Sequence, residues 1–192
     1  MVLRPALALC AALACAGPAL ADPLDARAAR GLLYPADRVE VLRHDMTGLS
    51  EQEASVLTSV VQTQKYYAAV AYAPDMGIMA EPTVMSANYH SPEAARAAAL
   101  AGCNARRTGG RDCALALEVR PAGWEARGLS LSADATTDFE TTYLAASGSR
   151  ALAVSASSGQ WGIGRGNAAA AEAVAACQTD TGVSDCAVVI AD

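Results

Sequence analysis

The chain has 192 residues, 14 basic against 20 acidic side chains and a formal net charge of -6. An acidic protein with no basic tract is a poor partner for nucleic acid or anionic membrane surfaces. About a quarter of the residues are Ala and there is a single Phe, Phe139. A core of such small side chains buries little area per residue, so covalent staples gain importance.

Residues 1–21 open with Arg4, continue as an apolar stretch and end in Ala19-Leu20-Ala21. This is the pattern of a secretory signal peptide with cleavage before Asp22, and it predicts a periplasmic or extracellular address. Gly17 and Pro18 break the apolar run below the length of a membrane span. Lipidation at Cys15 is the competing reading, in a poor acceptor context. No later segment is apolar enough for a span, so the mature chain is expected to be soluble. Arg4 leaves with the leader, giving 13 basic against 20 acidic residues.

Residues 22–37 are expected to pack loosely or as a short helix. Arg38–Arg43 alternates and predicts a strand. Ser50 and Glu53 form a capping box for a helix to about Gln64. Tyr66–Ala73 predicts a strand closed by Pro74, and a short strand is expected over Thr83–Ala87. Ser91-Pro92-Glu93 starts a helix that runs to Cys103, through an N-cap, a first-turn Pro and an acid on the positive dipole end. Ala114–Val119 is the following strand. The pattern then begins again: a strand over Arg127–Ser132, a helix over Thr136–Ala146 and a strand over Arg150–Ser157. A Gly-rich turn over Ser158–Gly166, a helix capped by Asn167 to Cys177 and a last strand over Ala187–Ile190 complete it.

Two segments look alike, AALAGCNARRTGGRDCALAL and EAVAACQTDTGVSDCAVVI. Each runs an Ala-rich helix into a Cys, a polar loop and an Asp-Cys pair that opens an apolar strand. Four cysteines permit three pairings, which sequence cannot formally choose between. Local disulfides, Cys103 with Cys113 and Cys177 with Cys186, are expected because each pair encloses a short loop in an exported chain. A zinc site is the rival, but there is no C-x-x-C and only two His are present. The expected fold class is α+β: two related strand-helix-strand-helix-strand modules around small, mostly antiparallel sheets, each closed by a disulfide. The modules are placed at 38–121 and 122–192.

Tyr67–Ala73 with Ala94–Cys113, and Leu152–Ser157 with Gly162–Cys186, resemble a family of small secreted bacterial Cys-paired domains of unknown function. The resemblance implies two divergent copies, an exported address and no particular activity. The first copy departs from the pattern by a long insertion, Asp75–His90.

Motifs for chemistry are sparse. Gly162-Ile163-Gly164-Arg165-Gly166 follows a strand and precedes a helix, but its spacing is not that of a dinucleotide site, and a hairpin or sharp turn is expected there. Neither a metal nor another cofactor is expected, and the single lysine, Lys65, argues against a Schiff-base enzyme. His44 and His90 are the only candidate general bases. His44 neighbours Asp45, but adjacent strand residues face opposite ways. Arg106, Arg107 and Arg111, in the first clamped loop, are candidate anion-binding residues through fork-like hydrogen bonds. The sequence thus points to a non-catalytic binding or structural module whose partner is an unknown protein or small anion. The alternatives are a small envelope hydrolase using His44 or His90, or a partner-binding inhibitor with Asp75–His90 or the Arg loop as its contact surface.

Overall fold

A computed structural model describes residues 22–179 and 182–192. The leader, its cleavage point and Cys15 lie outside the described residues. The chain is α+β, with two small antiparallel sheets and two disulfides.

In chain order the elements are α1 (Ala26–Leu32), β1 (Val39–Arg43), α2 (Glu51–Val61), β2 (Ala68–Tyr72), β3 (Val84–Ser86), α3 (Pro92–Arg106) and β4 (Ala114–Pro121). They continue with α4 (Ala133–Asp138), which widens into a π turn over Phe139–Tyr143, then β5 (Arg150–Ser155), β6 (Trp161–Arg165), α5 (Ala169–Cys177) and β7 (Cys186–Ala191). The caps follow the sequence. Ser50 Oγ accepts from the Glu53 amide while the Glu53 carboxylate accepts from the Ser50 amide. Ser91 Oγ accepts from the Ala94 amide behind Pro92.

One connectivity occurs twice. The first sheet has the order β1-β4-β2-β3 and the second β6-β5-β7, every neighbouring pair antiparallel. In each, a central strand (β2, β5) pairs with the next strand (β3, β6). A helix (α3, α5) then crosses over and the returning strand (β4, β7) takes the other side. Both central strands carry a register shift against the returning strand, at Val70/Ala71 and at Leu152/Ala153. A disulfide joins each helix to the start of its returning strand, Cys103 to Cys113 and Cys177 to Cys186, both with Cα atoms 6.1 Å apart.

The helices lie close on their sheets because they present a stripe of small residues at a four-residue spacing. That stripe is Ala95, Ala99 and Cys103 on α3, and Ala169, Ala173 and Cys177 on α5, all buried. On α5 it meets Ala151 and Ala153 of β5. The Gly-rich segment forms a hairpin, with most of it lying in β6 against β5 rather than in the turn itself, and its glycines explain why. A Cβ on Gly162 would stand 2.3 Å from the Ala173 carbonyl oxygen, and one on Gly164 2.0 Å from that of Ala169. The glycines admit the helix backbone to the strand; only Gly166, at φ +72°, serves a turn.

Two other expectations are corrected and a third is narrowed. Arg127–Ser132 is not a strand: Leu129 and Leu131 are buried, but the segment runs as an extended strap without a partner strand. Its alternation reports half-burial, which a strap shares with a strand. Asn167 does not cap α5; a tight turn over Gly166–Ala168 leads in and the N-cap, Ala168, makes no side-chain bond. Residues 22–37 hold the short helix expected there, α1, and are packed rather than loose. Leu24 bridges to Ile190, with its amide donating to the Val189 carbonyl (3.0 Å) and its carbonyl accepting from the Ala191 amide (2.9 Å). Ala29 of α1 is fully buried in the second core with Phe139, Tyr143 and Leu152. The N-terminal segment therefore belongs with the second sheet.

Gly164→Ala should destabilise the protein by about 3 kcal/mol or more, since the clash is with helix backbone. Gly128→Ala, with nothing within 4 Å of the new methyl, should stay within about 0.5 kcal/mol. Equilibrium denaturation of the two variants checks the pair.

Candidate functional site

After β4 the chain crosses from the first core to the second as the strap 122–132. Hydrogen bonds hold it down at intervals. The Gly123 amide donates to Glu40 Oε2 (2.9 Å), and the Glu125 amide to the Tyr34 hydroxyl (2.7 Å), which donates back to the Glu125 carbonyl (3.1 Å). Arg127 Nη1 donates to the Leu32 carbonyl (2.9 Å). Between the strap, Tyr34, Tyr67 and the first turn of α3 lies a cleft of about 290 Å³.

Its walls are aromatic and polar. Trp124 Nε1 donates to the Tyr67 hydroxyl (3.2 Å). Arg120 stands over the Trp124 ring, 4.8 Å from its centroid, and Arg127 over the Tyr34 ring at 3.7 Å. Burial pushes the Tyr67 hydroxyl above the usual tyrosine range, partly offset by Ser130 and Trp124, so it stays protonated. Ser130 Oγ is buried and has no properly directed hydrogen bond among the described residues. Its nearest polar neighbour is the Tyr67 hydroxyl, so the two hydroxyls form one polar spot on the cleft wall with bonding capacity to spare.

The cleft is fixed from behind by Glu118, a fully buried carboxylate in β4. Arg120 donates to its Oε2 from Nε (3.0 Å) and Nη2 (2.7 Å). Arg96 of α3 donates from Nη1 to Oε1 (3.2 Å) and from Nη2 to Glu93 (2.9 Å). Burial alone would raise the Glu118 pKa, but the hydrogen bonds and charges of Arg120 and Arg96 bring it below the usual range. One carboxylate thus sets both the guanidinium over Trp124 and the one holding Glu93 at the cleft.

The candidate bases separate. His90 is buried, and both ring nitrogens are engaged: Nδ1 accepts from the Ser132 amide (3.0 Å), so Nε2 carries the proton and donates to the Gln160 carbonyl (2.9 Å). It cannot serve as a base without breaking these bonds, which pin the first sheet to α4 and the β5–β6 hairpin. His44 is partly exposed and lines a second, open cleft with Thr47, Tyr72 and Arg111. Its Nε2 lies 2.7 Å from Glu118 Oε1, off the direction of a hydrogen bond. Its carboxylate neighbour is Glu118, not Asp45.

In the Arg loop, Arg111 donates from its amide to Asp75 Oδ2 (2.9 Å) and from Nε to Oδ1 (2.8 Å), which holds the Asp75 carboxyl below its usual range. Arg107 pairs with Asp112 and donates to Asn104 Oδ1 and the Gly110 carbonyl. Arg106 is exposed at the C-terminal end of α3. An external anion would compete with Asp75 and Asp112. Among the described residues no group of three or more His, Cys, Asp or Glu is placed to hold a metal ion.

Sequence reading missed Tyr34, Tyr67, Trp124, Ser130 and Glu118. The first four are brought together across 96 positions by the strap, which no local pattern announces. Glu118 did leave a signal: a charge inside the apolar run ALALEV implies a buried partner.

Burial depresses the His90 pKa from 6.5 to about 4. As pH falls below 6.5 the unfolded chain therefore takes up the proton first. Stability present above pH 6.5 should be lost down to pH 4, by about 3 kcal/mol. Denaturation between pH 7 and 5 should show this slope in the native protein and a flatter one in His90→Gln; equal slopes would assign it elsewhere.

No family model, no curated protein and no solved structure matches this chain.

Proposed function

We propose that this chain is an exported, non-catalytic binding module of two divergent, disulfide-clamped copies of one domain, with the cleft between Tyr34, Tyr67 and Trp124 as its ligand seat. The observation that carries the reading is an aromatic cleft whose walls are held by internal hydrogen bonds and onto which the paired Ser130 and Tyr67 hydroxyls open. Such a seat is preorganised, so a ligand need not pay for ordering it. Two disulfides, each closing a short loop, support the exported address. So does the leader pattern over residues 1–21. Among the described residues no helix is long and apolar enough to cross a membrane. The repeated strand order, helix stripe, register shift and disulfide position support descent from one duplicated unit and fit the family of secreted Cys-paired domains.

The second reading is a hydrolase with His44 as base, favoured by the Glu118 carboxylate 2.7 Å from its ring. A turnover abolished by His44→Ala would establish it.

Immobilised native protein and Trp124→Ala, both shown folded by circular dichroism, should be exposed to a cell-envelope extract. Bound small molecules are then identified by mass. The native protein should retain a compound that the variant does not; identical eluates would overturn the seat.

A further inference from the structure

The cleft differs from an ordinary aromatic cage in what its rings and charges are already doing. Trp124 has the Arg120 guanidinium over one face and Tyr34 has Arg127. The attraction these π systems would offer a cationic ligand is already used within the protein. The charges in and behind the walls also balance: Glu93, Glu118 and Glu125 stand against Arg96, Arg120 and Arg127. A ligand with net charge gains little from such a wall and must still shed its hydration.

The cleft does offer hydrogen-bonding groups at close quarters. Ser130 Oγ is buried beside the Tyr67 hydroxyl without a well-directed bond, and Tyr67 accepts from Trp124 while keeping its own proton. Glu93 and Glu125 also line the cleft, Glu93 with Oε1 already accepting from Arg96. Alternating donors and acceptors beside ring faces match a molecule with several hydroxyls and an apolar C–H face. At about 290 Å³ the space is at the small end of ligand pockets and suits one ring.

We propose that the cleft binds one neutral, polyhydroxylated ring of the kind a monosaccharide unit presents, stacked on Trp124 and hydrogen-bonded to Ser130. This rests on the cleft being the ligand seat. The bonds formed are reversible hydrogen bonds and ring contacts.

The test uses the protein without its leader, labelled with ¹⁵N. The two Trp indole resonances are assigned through Trp124→Phe. Glucose and N-acetylglucosamine are titrated to high millimolar, with tetramethylammonium and acetate as charged probes. At least one sugar should shift the Trp124 resonance saturably and leave that of Trp161 in place, while the charged probes shift neither. Ser130→Ala should weaken the sugar about five- to tenfold. A saturable Trp124 shift with a charged probe and none with the sugars would overturn the neutral-ring assignment and leave the seat standing. So would a Trp124-dependent compound from the envelope extract that lacks a neutral polyhydroxylated ring. Sugar binding unchanged in Ser130→Ala would overturn the hydrogen-bonded pose. Silence from every probe, with identical extract eluates, would overturn both the class and the seat.

Discussion

The structure depends on two helices that face their sheets with small side chains. Ala95, Ala99 and Cys103 on α3, and Ala169, Ala173 and Cys177 on α5, present only methyl groups and a sulfur to the strands. On β6 even a methyl is too much, and Gly162 and Gly164 stand opposite the α5 backbone. Close approach favours dispersion contacts, yet small side chains remove little apolar area from water. The last residue of each stripe is therefore a cysteine, and its disulfide ties the helix to the returning strand. Stripe and clamp are one solution to the problem posed by an Ala-rich composition.

The two sheets must then be joined, and polar groups do much of this. His90 reaches the Ser132 amide and the Gln160 carbonyl, the Ala133 amide donates to the Tyr66 carbonyl, and Lys65 pairs with Asp134. The strap 122–132 crosses the same junction, and the N-terminal segment pairs with β7 at Leu24 and then hydrogen-bonds to the strap at Tyr34. The cleft lies where strap, N-terminal segment and the start of α3 meet. Its shape follows from how the halves are joined, which is why neither half alone contains it.

That origin explains what could be read in advance. The disulfides, the Ser50 and Ser91 caps and most strands were legible, since each is local: a helix capped by its own residues, a loop closed by its own cysteines. The Gly-rich segment was legible only in part because glycine signals a turn and a close contact equally, and only α5 decides between them. Arg127–Ser132 misled because alternation records burial on one face and says nothing of a ladder partner. His44 was weighed against Asp45 next to it in sequence, whereas its carboxylate comes from β4, the strand paired with β1. The aromatic cleft was illegible for the same reason: Tyr34, Tyr67 and Trp124 have no local relation and meet only through tertiary structure.

The most direct test of the central claim is equilibrium unfolding of residues 22–192, oxidised and fully reduced, under otherwise identical conditions. If the small-residue stripes depend on their clamps, reduction should lower stability by about 2.5–3 kcal/mol for each short loop opened. For a domain of ordinary marginal stability that is a large share of the whole. A reduced protein as stable as the oxidised one would show that the Ala and Gly contacts hold the helices unaided, and would contradict this account.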